Sequence, residues 1–439
     1  MSTSADILAP ATSAMIQTPA PAEPPKPHFP MDFTLEHETI AHSDLLLVCA
    51  HEPFNAEPTA AALVEFPVTP NELVYCRNHG PVQEYDYDAF AITVRVRLGK
   101  GPNGDADEEQ RTQGSEAVVE RTFTAKEIRE QFEKVEVEAA LQCAGNRRKE
   151  MSKLQPVVGV LWDDGVVANC VWGGTRLRDV LVAVGVQHPA LYDPTSISTY
   201  ADAPVGPSGL HVHLNSRVTA CQDDAYYGAS IPLEKALQDE VLLAYEMNSE
   251  PLYPDRGGPL RAVVPGFLGA RWVKWIDEIE ICTDESENYY QRRDYRILPP
   301  EIDSRAKAAS AWPLYPSMTS LPLNSVVASL TRTSPTSLLA KGYAVGRGAC
   351  PVTRVQVSVD GERWADARIT YSGGAQSGKG ESRWSWTLWA AIVSGEEVGE
   401  GHHGTVWCRA IDEAGNVQQQ RCPWNYRGVG YCPWGAKSF

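Results

Sequence analysis

Apolar and polar side chains alternate strictly along Ile92-Thr93-Val94-Arg95-Val96-Arg97-Leu98, the pattern of a strand with one buried face. Gly101-Pro102-Asn103-Gly104, followed by Asp105, Asp107, Glu108 and Glu109, predicts an exposed acidic loop. Thr124 and Glu127 have the spacing of a capping box and predict a short helix to about Phe132. Val135-Glu136-Val137-Glu138 then returns to period two and runs into Leu141-Gln142-Cys143-Ala144-Gly145-Asn146-Arg147-Arg148. A strand end that breaks into a glycine-containing turn is where side chains are displayed to ligands. Upstream, the apolar run Leu45-Leu46-Leu47-Val48 reads as a buried strand.

From about residue 176 to 270 short helical and strand signals alternate, with a helix expected over Leu177–Val184 and a strand over Arg261–Pro265. Past Pro299-Pro300 the pattern changes to strands with hairpin punctuation. Val355–Val359 leads into Asp360-Gly361, Trp384-x-Trp386-x-Leu388 alternates, and Val406-x-Cys408-x-Ala410 precedes Gly415-Asn416. The fold class is therefore α+β, with a β-sandwich at the carboxyl end and a boundary near residue 305. Trp384, Trp386 and Trp389 are expected in the sandwich core, and His402-His403 on an exposed loop between Gly401 and Gly404.

The length of 439 residues suits two or three domains with their own cores. A net charge of −17 repels nucleic acid and anionic membrane surfaces, so an anionic substrate needs a local basic cluster. No apolar run approaches the roughly 18 residues of a membrane span, and the protein is expected to be soluble. The ten cysteines contain no CxxC and follow no secretory segment, which points to a reducing, intracellular compartment and mostly buried thiols. Residues 1–30 are rich in Ala, Pro, Ser and Thr, lack arginine, and read as a disordered tail. Lys437-Ser438-Phe439 differs from the peroxisomal Ser-Lys-Leu signal, leaving cytosol and peroxisome both open.

Zinc-type Cys/His spacing, HExxH, GxSxG, the P-loop and a complete GxGxxG are all missing. What stands out is Cys143 followed closely by two arginines, which favour the thiolate, the form that ligates a soft metal. The run Leu141–Arg148 with Met151 resembles the metal-ligand motif of the sulfite oxidase family of molybdopterin enzymes, which includes eukaryotic nitrate reductase. The similarity continues from His51-Glu52-Pro53-Phe54-Asn55 through Arg77-Asn78-His79-Gly80-Pro81, Trp172-Gly173-Gly174, Tyr227–Pro232 and Leu242–Asn248 to Trp424-Asn425-Tyr426-Arg427-Gly428.

The resemblance implies a mixed α/β molybdopterin-binding catalytic domain over 31–304 and an immunoglobulin-like dimerisation domain over 305–439, paired as a homodimer. It implies molybdenum and molybdopterin as cofactors, with Cys143 as the metal ligand. Because it covers about residues 43–430, no haem domain is expected, as in the plant-type enzyme. By the same resemblance Arg77, Arg148, Arg427, Trp162 and Tyr295 form the oxyanion pocket. Tyr75, Cys76, Arg77, Asn78, His79, Arg261, Trp272, Val273 and Lys274 contact the cofactor. Thr219 and Arg256 fall at cofactor positions where the family has Asp and His. Arg256 either gives a cofactor oxygen a permanent cationic partner or swings out into a surface ion pair with Asp255.

Sulfite is mostly a dianion near neutral pH, and a desolvated dianion needs several guanidinium forks. Nitrate reductases tend to have Asn at Tyr295 and Met at Arg427, so both residues favour oxidation of sulfite to sulfate by oxygen-atom transfer. A nitrate- or other oxyanion-reducing relative, or a non-catalytic molybdopterin-binding scaffold, are the alternatives. The electron acceptor is left open.

Overall fold

The computed structural model describes residues 29–98, 117–186, 208–373 and 382–439. The expected acidic loop at 101–109 and residues 1–28 of the expected tail lie outside the described residues. The alternating segment forms the strand Ala91–Leu98, which buries Ile92, Val94 and Val96. It pairs antiparallel with Ala117–Thr124 and parallel with Glu278–Cys282. His211–Ser216 and Tyr227–Pro232 complete this five-stranded sheet. Between it and a second five-stranded sheet lies the main core.

The second sheet is antiparallel and orders Glu250–Pro251, Leu242–Met247, Val167–Arg176 and Lys134–Gln142, with Arg261–Val263 also on Leu242–Met247. The capping box forms as read: Glu127 N–H donates to Thr124 Oγ1 at 3.1 Å and Thr124 N–H to Glu127 Oε2 at 2.7 Å, opening the helix Ala125–Gln131. A helix over Leu177–Ala183 also matches its sequence pattern. Leu45–Val48 does not. The strand Leu47–Ala50 is present, but it belongs to a two-stranded ribbon with Asn55–Glu57, and only Leu46 is buried, against Phe54, Ala56 and Cys76. Leu45 is 62% exposed and Leu47 57%, because a two-stranded ribbon leaves the rest of the run without a second layer.

Two four-stranded antiparallel sheets make the sandwich. Asn324–Ser334, Ser337–Val345, Thr387–Ser394 and Arg368–Tyr371 form one, and Ala365–Asp366, Val352–Ser358, Thr405–Asp412 and Gly435–Ser438 the other. Thr405–Asp412 alternates buried and half-buried positions along its whole length, as an inner-face strand requires. His402 and His403 are exposed, as expected.

The tryptophans divide differently from the sequence reading. Trp389 packs in the sandwich core, but Trp386 lies in a separate cluster with Leu63, Ala140, Val167 and Tyr343, at the seam between the sandwich and the preceding sheets. Its indole N–H donates to the Pro67 carbonyl at 2.9 Å. Trp384 is half-buried on the same seam, where its carbonyl accepts from Ala140 N–H at 2.9 Å. Arg147, in the left-handed region at φ 62°, ties the seam further by donating to Asn324 Oδ1 and the carbonyls of Pro433 and Trp434. The seam is thus built as a core. Trp386→Ala should lower stability to urea by about 3–5 kcal/mol, the usual cost of emptying a buried tryptophan site; a loss below about 1 kcal/mol in the same measurement would mean that the two parts do not share a core.

Candidate active site

Lys134–Gln142 ends at Cys143, whose N–H donates to Val166 O at 3.0 Å and whose sulfur accepts from Gly145 N–H at 3.4 Å. The thiol is buried and faces a cleft of about 800 Å³ including its open mouth. Ala144 O, one residue on, accepts from Gly430 N–H at 2.8 Å, so the carboxyl-terminal segment closes over the turn.

Arg148 opens the one-turn helix Arg148–Met151 and is 4% exposed. Its Nε donates to the carbonyls of Arg427 and Gly428 at 3.0 and 3.1 Å, and Nη1 to Val160 O at 2.8 Å. Glycines make room for it: a Cβ at Gly145 would stand 2.7 Å from Arg148 Cζ, and one at Gly159, where φ is +133°, 2.8 Å from Nη1. Burial and the neighbouring Arg427 and Arg77 lower its pKa to about 10, against the pull of Cys143. Arg427 is neutralised differently, by Asp294 Oδ2 at 2.7 Å, while its Nε is buried without a partner.

Arg77 lines the cleft and donates to Asn55 Oδ1 and to the Asn78 carbonyl. Its Nη2 lies 3.3 Å from His79 Nδ1, and His79 Nε2 lies 3.0 Å from Tyr295 Oη. A guanidinium only donates, so Nδ1 accepts and Nε2 carries the imidazole proton. That proton is donated to Tyr295, leaving the phenol proton free to point elsewhere. Burial, and then the charges of Arg77, Arg427, Lys274 and Arg148, hold His79 far below its ordinary pKa, so the ring is neutral. Burial raises Tyr295 above its ordinary value despite Arg77, so the phenol stays protonated. The three side chains form an ordered donor chain ending at the cleft.

The other end of the cleft is cationic. Arg261 donates to the carbonyls of Arg256 and Trp272, and its Nε is buried without a partner. Lys274 donates to Asn78 Oδ1 and to Asp255 O, and burial with Arg261 nearby lowers its pKa to about 7. Among the described residues Arg77, Arg148, Arg261 and Lys274 have no carboxylate in ion-pair contact; their hydrogen bonds go to neutral acceptors. Such a set fits an anionic group bearing several oxygens.

All the expected cofactor-contact residues line the cleft except Cys76 and Val273, which are buried behind it. Thr219 is on the wall. Arg256 has not swung out: it is 3% exposed, lines the cleft, and still pairs with Asp255 Oδ2 at 2.8 Å, while Nη1 contacts Cys76 Sγ at 2.6 Å and Nη2 donates to Val74 O. Burial opposes the charge on Asp255, but Arg256 and His42 hold it well below the carboxylate range. Although burial disfavours its charge too, contacts with Asp255, Cys76 and Glu36 raise His42 to about 11. His42, Cys76 and Asp255 have the composition of a metal site, but the Arg256 guanidinium already occupies it.

Of the expected pocket residues, Arg77 and Tyr295 line the cleft; Arg148, Arg427 and Trp162 stand behind that lining. Trp162 is fully buried with its indole nitrogen unpartnered. Sequence reasoning named Asp255 as a partner of Arg256, though at the surface, but missed Asp294 as the partner of Arg427, although it is adjacent to Tyr295, and missed the His79 to Tyr295 contact. Tyr227 and Tyr290, whose rings stack on each other and against His79, were missed as its support.

Residues 111–290 match the family model described as "Oxidoreductase molybdopterin binding domain", and 316–436 the "Mo-co oxidoreductase dimerisation domain". The chain is 37% identical to a sulfite oxidase of Arabidopsis thaliana over 89% of its length and 92% of that protein's. It is also 37% identical to a sulfite oxidase of Gallus gallus, over 89% and 76% of the two chains. A nitrate reductase [NAD(P)H] of Hordeum vulgare is 33% identical over 88% of this chain, which spans 41% of that protein. Among solved structures, the sulfane dehydrogenase SoxCD of Paracoccus pantotrophus shares the fold, with a TM-score of 0.65 over 98% of this chain and 93% of that one, at 20% identity.

Lys274 gives the cleft a pH dependence. Sulfate keeps its charge between pH 6 and 9, whereas Lys274 loses its own above about 7. An anion binds the protonated form, so sulfate affinity of the cofactor-free protein should fall as pH rises through 7, and Lys274→Met should flatten that slope. Isothermal titration at several pH values checks both; a wild-type affinity that rises with pH contradicts the assignment.

Proposed function

The chain belongs to the molybdopterin oxidoreductase family that contains the sulfite oxidases, and from that membership we propose that it oxidises sulfite to sulfate. When bound, the molybdenum cofactor supplies two-electron oxygen-atom transfer. Cys143 would ligate the metal, and Arg261 and Lys274, with Tyr75, Asn78, Thr219, Trp272 and Val273 around them, would hold the pterin and its phosphate. Arg256 contributes less charge than its type suggests, since Asp255 already neutralises it.

The observation that carries the reading is the donor chain from Arg77 through His79 to Tyr295, beside the Cys143 thiol. Arg77 and the protonated Tyr295 offer hydrogen bonds to an oxyanion from inside a buried wall, where such bonds are strongest. Arg148 adds positive potential from behind that wall, Arg427 contributes an unpartnered Nε although Asp294 offsets its charge, and Trp162 excludes water. Tyr295 and Arg427 favour sulfite over nitrate in this reading. The division near residue 305 and pairing of two copies through 305–439 belong to the same reading, supported by the description of the second family model.

The purified protein should contain molybdenum and turn over sulfite; protein that carries molybdenum yet reduces nitrate and leaves sulfite untouched would overturn the substrate assignment. Cys143→Ser should abolish turnover while leaving the fold and the dimer intact, because a hydroxyl is a poor soft-metal ligand.

Removing Arg427 alone strands a buried carboxylate, so its effect on the site must be separated from its effect on stability. Arg427→Met should both destabilise the protein and raise KM for sulfite, by about 2–5 kcal/mol in the binding term. Adding Asp294→Asn should restore most of the stability but not KM. Recovery of KM in the double variant would remove Arg427 from the substrate site.

A further inference from the structure

The polar face of the first five-stranded sheet carries a set of metal-ligand side chains that the proposed reaction does not use. His211–Ser216 and Glu278–Cys282 pair antiparallel, with His213 opposite Glu280 and His211 opposite Cys282. Directly opposed residues share a face, and the intervening Val212, Leu214, Ile279 and Ile281 turn the other way into the main core. One donor atom from each of His213, Glu280 and Cys282 lies within 4.8 Å of the other two. All three side chains are half-buried, and Cys282 is a free thiol.

The histidines are already set for a cation. His213 Nε2 lies 2.7 Å from the Asp284 carbonyl, which only accepts, so Nε2 carries the proton and Nδ1 keeps its lone pair. Donating one ring N–H to a backbone carbonyl while the other nitrogen ligates is the usual setting of a metal-bound imidazole. His211 is 4% exposed, and its Nδ1 is buried with no hydrogen-bond partner among the described residues. Burial holds its pKa below the ordinary value, so the ring is neutral and able to accept. On the other side of Glu280 the opposed residue is Arg95, whose guanidinium is paired with Glu120 and Glu278. Glu280 and Cys282 each already interact with a neighbour, an interaction that a cation would replace. No guanidinium is recorded bonding to the donors of His213 and Cys282, in contrast to the His42, Cys76 and Asp255 set that Arg256 fills.

We propose that His213, Glu280 and Cys282 form a zinc site on this face of the sheet. Imidazole, carboxylate and thiolate together suit a borderline ion such as zinc, whereas calcium and magnesium prefer oxygen alone. Zinc bonds run to about 2.0–2.3 Å, so donors no more than 4.8 Å apart meet a tetrahedral ion after closing by about 1 Å. Binding releases the Cys282 proton to solvent and oxidises nothing. A water takes the fourth position, with His211 Nδ1 as its hydrogen-bond acceptor. The ion thereby pins the strand pair and the start of the segment that runs on through the helix Tyr289–Arg292 to Asp294 and Tyr295.

The test strips purified holoprotein with a chelator, desalts it and adds zinc sulfate. One zinc per chain should survive a second desalting and raise Tm, and it should shield Cys282 from iodoacetamide in peptide maps while the exposed Cys49 is alkylated with or without the metal. Cobalt in place of zinc should give a thiolate-to-cobalt charge-transfer band and the intense visible bands of a tetrahedral ion. Cys282→Ser should remove the charge-transfer band, and His213→Gln and Glu280→Gln should each weaken zinc binding by about tenfold or more. Failure to retain zinc overturns the site. Retained zinc that leaves Cys282 as reactive as before, or that Cys282→Ser and His213→Gln do not weaken, places the ion elsewhere and overturns it equally. The alkylation and cobalt readings are made on the wild type, so a variant that fails to fold leaves the proposal open to refutation.

Discussion

Four cations at the cleft, none of which has a carboxylate partner among the described residues, set the terms for the rest of the molecule. Burying a charge is costly unless it is paired, and like charges around one cleft add to the cost. Here Arg77, Arg148, Arg261 and Lys274 are held by hydrogen bonds to carbonyl and amide oxygens instead of by acids. Those carbonyls belong to Val160, Arg256, Trp272, Arg427 and Gly428, and all of them lie outside regular strands. These irregular segments share the cleft wall with the strand residues Leu141, Ser216, Tyr227 and Arg261, and the sheets and the sandwich hold them in place.

Carboxylates are present where a cation should be silenced. Asp255 neutralises Arg256 and Asp294 neutralises Arg427, leaving the positive potential concentrated at the Arg261 and Lys274 end and around Arg77 and Arg148. Burial, and then the neighbouring Arg261, depress Lys274, and a bound anion would offset both. The same electrostatics keep His79 neutral, which makes the direction of its hydrogen bonds unambiguous and preserves the Tyr295 proton for the cleft.

Local pattern made much of this legible. The alternation at Ile92–Val96 and in Thr405–Asp412, the capping box at Thr124 and the strand that breaks at Cys143 are all encoded within a few residues, and the structure follows them. What sequence could not supply depends on partners far along the chain. Leu45–Val48 looks like a buried strand until its two-stranded setting is known. Trp386 alternates like a sandwich residue but packs on Leu63 and Val167. For Arg256, sequence reasoning offered a cofactor partner or a surface ion pair, whereas the structure combines parts of both: paired with Asp255, yet buried in the wall. Arg148 was expected to hold an anion directly, but its bonds to residues 427 and 428 place it behind the lining, supporting the loop that carries Arg427.

If the cleft is an uncompensated cationic site awaiting an anion, its charge must weaken the empty protein while it strengthens the loaded one. The most direct measurement is urea unfolding of cofactor-free protein at pH 7, wild type against Lys274→Met, alongside the molybdopterin each retains on purification. The account predicts that the variant is at least as stable as the wild type when empty and retains little cofactor. A cofactor-free variant that loses stability as a broken buried ion pair does, by about 3–5 kcal/mol, would contradict it.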